Sequence, residues 1–274
     1  MKQYALMGEH LGHTLSPYIH NLVFKHLGIE GDYSVLDIPA ADLPNILGNL
    51  KESGFGGINV TIPHKQNIMP HLNSISSEAL RIGAVNTVKI ENDITTGYNT
   101  DYFGFGYMLD RANIEIVDKR IAVFGAGGAS RSVIAYLSDH GAGEITVFSK
   151  TNTRFDDLKA TFPFIQCYTL ENQDKMRSQI AINTTPVGML PKVGLSVIGE
   201  ETASHFEALV DIVYNPIETE FIKIGKRLGK STQNGLYMLI GQAIKAQEIF
   251  QNTTIAPYVG EEIFNDIIAN KILG

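Results

Sequence analysis

The chain has one cysteine, Cys167, among 274 residues, so no disulfide can form within it, and such sparing use fits a reducing, cytoplasmic compartment. No apolar run approaches the roughly eighteen residues that a membrane helix needs. The first ten residues turn polar too early for a secretory leader. Basic residues are not in excess: 22 Lys and Arg stand against 29 Asp and Glu, a net charge of −7, which argues against a broad nucleic-acid-binding face and for small-molecule partners. Among the histidines, His10, His13 and His20 show no zinc spacing, and no cysteine or carboxylate completes a ligand set. No metal is expected, and these histidines read as surface or hydrogen-bonding residues. Internal repeats and low-complexity linkers are missing as well.

What is present alternates between strand and helix patterns, over a length that suits two domains. Apolar runs at Tyr4–Met7 and Tyr33–Ile38 flank a helical stretch from Pro17 to Leu27, a β-α-β unit. A helix over Asp42–Leu50 and a strand over Gly57–Ile62, stopped by Pro63, follow. Ala84–Lys89 and Thr95–Tyr98, around Glu91-Asn92-Asp93, predict a hairpin inside an otherwise parallel sheet. After a helix over Phe103–Ala112 come a strand at Ile121–Phe124, a glycine turn, a helix over Ala129–His140 and a strand at Glu144–Phe148. Further strands are expected at Ile180–Asn183 and Ala208–Val213, and helices from Gly235 onward. The fold class is therefore α/β, in two domains.

Gly125-Ala126-Gly127-Gly128-Ala129-Ser130 meets the first two glycines of a dinucleotide fingerprint, with Ser130 at the third small position. The first glycine turns tightly, and the second lets the backbone approach a pyrophosphate at the helix N-terminus. Its place between a predicted strand and a predicted helix makes the motif specific. About twenty residues on, an NAD site offers a carboxylate to the ribose. Here stand Ser149-Lys150-Thr151 and Arg154, whose hydroxyls and cations suit a 2′-phosphate, so NADP is preferred. Arg120 and Arg131 join Lys150 and Arg154 in a small basic group of a size to match one cofactor phosphate group.

Three polar clusters close predicted strands in the first hundred residues: His13-Thr14-Leu15-Ser16-Pro17, Asn59-Val60-Thr61-Ile62-Pro63-His64-Lys65 and Gly97-Tyr98-Asn99-Thr100-Asp101. Hydride transfer to a carbonyl leaves an oxyanion that must take a proton, which calls for a general acid and nearby donors. Lys65 beside Asp101 supplies both. Burial favours proton loss from Lys65 and a negative Asp101 opposes it. His64, at a strand end, should alternate away from Lys65.

These clusters, ahead of the glycine turn, resemble those of the shikimate dehydrogenases. The resemblance extends over nearly the whole chain, through Asn86-Thr87, Asn183-Thr184-Thr185-Pro186, Asp211–Pro216 and Asn234–Gln242. It implies a substrate-binding catalytic domain over 1–102 plus 236–274, a Rossmann-type NADP-binding domain over 103–235, and a cleft between them. It implies the reversible NADPH-dependent reduction of 3-dehydroshikimate to shikimate, in chorismate and aromatic amino-acid biosynthesis, by a monomer or homodimer. Lys65 would be the acid/base and Asp101 its partner. Asn59, Thr61, Asn86 and Gln242 would contact substrate hydroxyls, Thr14 and Ser16 the carboxylate, and Tyr214 the substrate or nicotinamide. Thr184, Gly235 and Met238 would join the glycine turn at the cofactor. Thr14 departs from the family's serine; its added methyl narrows the carboxylate pocket or shifts preference between shikimate and quinate. Two rivals are a nucleotide-responsive regulatory module without turnover and a two-domain dehydrogenase acting on quinate or a folate.

Overall fold

In the first unit the inner parallel strands Lys2–Gly8 and Phe55–Val60 are buried on both faces along most of their length, as continuous apolar runs allow. The computed structural model describes residues 2–12, 14–172 and 176–273; His13 lies outside them. In chain order come β1 (Lys2–Gly8), α1 (Ser16–Leu27), β2 (Gly31–Asp37), α2 (Leu43–Glu52), β3 (Phe55–Val60), α3 (His64–Asn67), β4 (Ser74–Ile75), α4 (Ser77–Ile82), β5 (Thr87–Glu91) and β6 (Ile94–Tyr98). The sheet runs β2-β1-β3-β5-β6-β4. β1 pairs in parallel with β2 and β3, while β5 is antiparallel to both β3 and β6. The predicted hairpin is β5–β6, turning at Asn92-Asp93. Both turn residues have positive φ, as a two-residue connection that follows the strand twist requires.

The remaining elements are α5 (Asp101–Ala112), β7 (Arg120–Phe124), α6 (Gly128–Asp139), β8 (Glu144–Ser149), α7 (Phe155–Thr161), β9 (Gln166–Thr169), β10 (Ile180–Asn183), α8 (Glu200–Ala203), β11 (Ala208–Asp211), α9 (Glu220–Arg227), β12 (Ser231–Gln233), α10 (Leu236–Gln251) and α11 (Tyr258–Ala269). Their sheet, β12-β11-β10-β7-β8-β9, is parallel throughout. Counted from β7 as the first strand, this is the 3-2-1-4-5-6 order of a Rossmann fold. Among the described residues, no helix is long and apolar enough to cross a membrane.

Contacts divide the chain into Met1–Asp101 with Ile240–Ile263, and Tyr102–Leu239 with Phe264–Gly274. The last segment thus groups with the second unit, where the sequence reading keeps 236–274 with the first. Each unit has its own core. Ala5, Met7, Leu47, Ile58 and Val88 lie at the centre of one, and Phe124, Phe148, Leu209 and Phe221 at the centre of the other. Each of these side chains larger than Ala5 contributes about 1.5–3 kcal/mol by leaving water, more than the ~1 kcal/mol net of a hydrogen bond. Burial holds the fold, and the polar groups described next set positions within it.

Candidate active site

β3 delivers Asn59 at its penultimate residue, and Pro63 closes the loop that follows. His64 and Lys65 are not at a strand end as alternation assumes; they open the single turn α3. His64 is fully buried, with Nε2 2.7 Å from the Ile38 carbonyl oxygen. A carbonyl only accepts, so that nitrogen carries the proton. The Lys65 carbonyl accepts from the Val85 amide at 2.8 Å, so the lysine backbone is tied to the sheet just before β5. Its side chain donates from Nζ to Asp101 Oδ2 at 2.5 Å, with 14% and 10% of the two side chains exposed.

Asp101 opens α5, where a carboxylate meets unpaired helix amides. Its second oxygen, Oδ1, accepts from Asn86 Nδ2 at 2.8 Å, and the other Asn86 N–H points to Thr100 Oγ1 at 3.1 Å. Asn86 Oδ1 accepts from the Thr100 amide at 2.6 Å and from Thr87 Oγ1 at 3.2 Å. The amide of Asn86 is therefore engaged by protein on both sides, and one of its N–H bonds holds Asp101. Asn59 joins the network by donating to Thr87 Oγ1 at 2.9 Å. The structure brings Lys65, Asp101, Asn86 and Asn59 into one connected set.

Thr14 and Ser16 meet each other instead, Thr14 Oγ1 lying 3.2 Å from both the Ser16 hydroxyl and its amide. Thr61 follows β3 and is half-buried, while Gln242 is buried on α10. Tyr214, half-buried after β11, belongs to the second unit.

In that unit the strand order reverses between β7 and β10, the place where open α/β sheets bind ligands. Gly125 leaves β7 at φ +115°, and a Cβ there would stand 2.6 Å from Thr184 Oγ1. Thr184 sits after β10 with its hydroxyl donated to the Phe124 carbonyl at 2.7 Å, so it presses on the turn and enforces glycine. Gly127 precedes α6, whose first turn has no side-chain cap; a Cβ at Gly127 would meet only Arg154 Nη1, at 3.7 Å. Open space over uncapped helix amides, edged by a cation, fits a dinucleotide pyrophosphate held by Gly125, Ala126, Gly127, Gly128 and Ala129. Lys150, Thr151 and Arg154 are exposed and Ser149 half-buried, at the end of β8 and just beyond. Neither Lys150 nor Arg154 has an ion-pair partner among the described residues.

Arg120 and Arg131 drop out of the basic group proposed from sequence. Arg131 is buried, paired with Asp157 and donating to Thr161 Oγ1 at 2.8 Å; Arg120 Nε reaches the Arg177 carbonyl at 2.6 Å, at the far end of β7 from the glycines. Gly235 is required by close approach: a Cβ there would fall 1.9 Å from the Ile212 carbonyl oxygen. Met238 is buried on α10.

Sequence reasoning passes over Asp211, at the end of β11. It is fully buried and accepts from Thr219 Oγ1 at 2.7 Å, Asn183 Nδ2 at 2.9 Å and the Val213 amide at 3.0 Å. Desolvation outweighs these bonds and raises its pKa to about 6. The folded-state value exceeds the unfolded one, so this group's stabilisation is complete below about pH 4 and lost as pH rises through about 6. A rise of this size corresponds to about 3 kcal/mol. Denaturant titrations of wild type and Asp211→Asn at pH 4.5 and 7.5 should show the wild type losing about 2 kcal/mol of that increment relative to the variant, the rest being lost already below about pH 4.5. Equal pH dependence in both proteins would rule the buried charge out.

A nucleotide cradle at the switch point of one sheet, together with a separate unit that presents a lysine held by a carboxylate, places the chain among the nicotinamide-dependent oxidoreductases. Comparison with known proteins narrows this. The profile of the shikimate dehydrogenase substrate binding domain matches residues 6–88. The shikimate dehydrogenase (NADP(+)) of Clostridium beijerinckii is 45% identical over 254 residues, 92% of each chain. A crystal structure of shikimate dehydrogenase 1 from Peptoclostridium difficile superposes with TM-score 0.90 at 40% identity, covering 100% of both chains. Shikimate 5-dehydrogenase from Thermus thermophilus, in complex with NADP(H) and shikimate, gives TM-score 0.86 at 34% identity over 96% of this chain and 98% of that one. The chain belongs to the shikimate dehydrogenase family.

Proposed function

We propose that the chain catalyses the reversible NADPH-dependent reduction of 3-dehydroshikimate to shikimate, with Lys65 as acid/base and Asp101 as its partner. The observation that carries this reading is the 2.5 Å Lys65–Asp101 contact, braced by Asn86, in a chain of this family. The Thermus relative holds both ligands that the reading requires. When bound, the dinucleotide supplies a hydride. Lys65 delivers a proton to the substrate carbonyl oxygen as it becomes a hydroxyl, and takes it back in the reverse direction. An ammonium has three N–H bonds, and Asp101 engages one, which leaves donors for that oxygen. Thr14 and Ser16 supply hydroxyls for the carboxylate. Asn59, Thr61 and Gln242 serve the ring hydroxyls, and Tyr214 lines the reacting region.

On the cofactor side the backbone of Gly125–Ala129 serves the pyrophosphate, and Ser149, Lys150, Thr151 and Arg154 serve the 2′-phosphate. Thr184, Gly235 and Met238 shape the nicotinamide end. An absorbance assay with shikimate and quinate, each with NADP+ and NAD+, tests the whole reading. Shikimate with NADP+ should give the highest kcat/KM of the four combinations. A higher value with quinate, or with NAD+, would reassign the substrate or the cofactor.

A further inference from the structure

Asn59 is a polar side chain of the proposed site whose amide is held from behind by a buried tyrosine. Tyr33, on β2, is 4% exposed, and its hydroxyl lies 2.7 Å from Asn59 Oδ1. The direction of the amide follows from its other neighbours. Asn59 Nδ2 faces Thr87 Oγ1 at 2.9 Å and the Asn86 backbone carbonyl at 3.4 Å. A carbonyl cannot donate, so only the NH2 end of the amide can face it, and Oδ1 must face Tyr33. Tyr33 is then the donor. Both N–H bonds of Asn59 are directed into the protein, and what remains for a ligand is a lone pair on Oδ1.

The tyrosine is itself held in place. His20 stacks on its ring, centroids 3.9 Å apart and planes 9° from parallel, and His20 Nδ1 lies 2.8 Å from Gln247 Nε2 on α10. A carboxamide NH2 only donates, so Nδ1 accepts, and the imidazole is the neutral tautomer protonated at Nε2. His20 is wholly buried, which keeps a neutral, flat surface against the phenol ring.

We infer that Tyr33 is a positioning residue that fixes Asn59 as a hydrogen-bond acceptor, so that the site selects a substrate bearing a hydroxyl, a donor, at that point of the ring. This rests on the reading of Asn59 as a substrate residue. A substrate with a carbonyl or ether oxygen there would meet acceptor against acceptor.

Tyr33→Phe removes only the hydroxyl and keeps the ring on His20. Steady-state kinetics of shikimate oxidation should show KM for shikimate rising about tenfold, kcat changing less than about twofold and KM for NADP+ unchanged, with a melting temperature close to wild type. In an Asn59→Ala background the same substitution should have no further effect on KM, because Tyr33 acts through that amide. An unchanged KM in Tyr33→Phe overturns the inference, as does a full tenfold rise that persists without Asn59. Wild-type protein that fails to oxidise shikimate would instead sink the underlying functional reading, so the two failures are told apart by the parent protein alone.

Discussion

Lys65→Ala is expected to lower kcat for shikimate oxidation by about three orders of magnitude, within the range general acid/base groups contribute. The substitution also strips Asp101 of its cation and leaves a carboxylate that is only 10% exposed. Removing one member of a buried pair costs about 3–5 kcal/mol, but Asn86 still donates to Asp101 and the group has some access to water, so the loss should fall below that range. Thermal unfolding therefore belongs beside the kinetics. NADP+ binding, measured by calorimetry, should be unchanged, because the glycine turn lies in the other unit. A folded Lys65→Ala protein with near wild-type turnover would remove lysine from the chemistry.

The second large effect concerns the choice of dinucleotide. Lys150→Ala combined with Arg154→Ala should reduce kcat/KM with NADP+ about 100-fold and leave the NAD+ value within about threefold. Charge-assisted hydrogen bonds contribute roughly 1.5–3 kcal/mol each, and each 1.4 kcal/mol is a factor of ten, so two exposed contacts discounted for screening give this size. The NADP+ preference of the wild type should also weaken as ionic strength rises. Parallel losses with both cofactors would mean that these cations support the loop and do not read a 2′-phosphate.

How far the sequence carries depends on how local each feature is. The glycine turn is legible because one strand, one turn and one helix N-terminus, all contiguous, contain its whole physics. Lys65 and Asp101 are legible as a candidate pair by type and by their place after strands, and the fold brings their side chains together. Arg131 is not, because the aspartate that neutralises it lies 26 residues further on. His64 misleads because α3 is a single turn, too short to show a period, so alternation is the wrong rule there. β4, β9 and β12 are two to four residues long and have no pattern of their own. Asn86 reads from the sequence as a substrate contact; its bonds to Thr87, Thr100 and Asp101, which tie it to the partner of Lys65, appear only in the fold. Tyr33 and Asp211 acquire meaning only through neighbours that the fold supplies.

The first unit is interrupted: the chain leaves it at Asp101 and re-enters at Ile240. What returns is needed inside. Phe250 stacks on Tyr4 at 5.0 Å, Gln251 donates to the Tyr4 hydroxyl at 2.9 Å, and Gln247 meets His20. During synthesis, β1 to β6 must therefore wait, their inner aromatic face uncovered, until the long Tyr102–Leu239 segment of the nucleotide-binding unit has been made. The domain that begins first cannot be completed before Ile240–Ile263 has been made. A nascent chain released after residue 235 would carry an intact glycine turn and a half-built partner, so ribosome stalling or premature release in that interval should yield chains that bind dinucleotide yet are recognised by chaperones as unfinished.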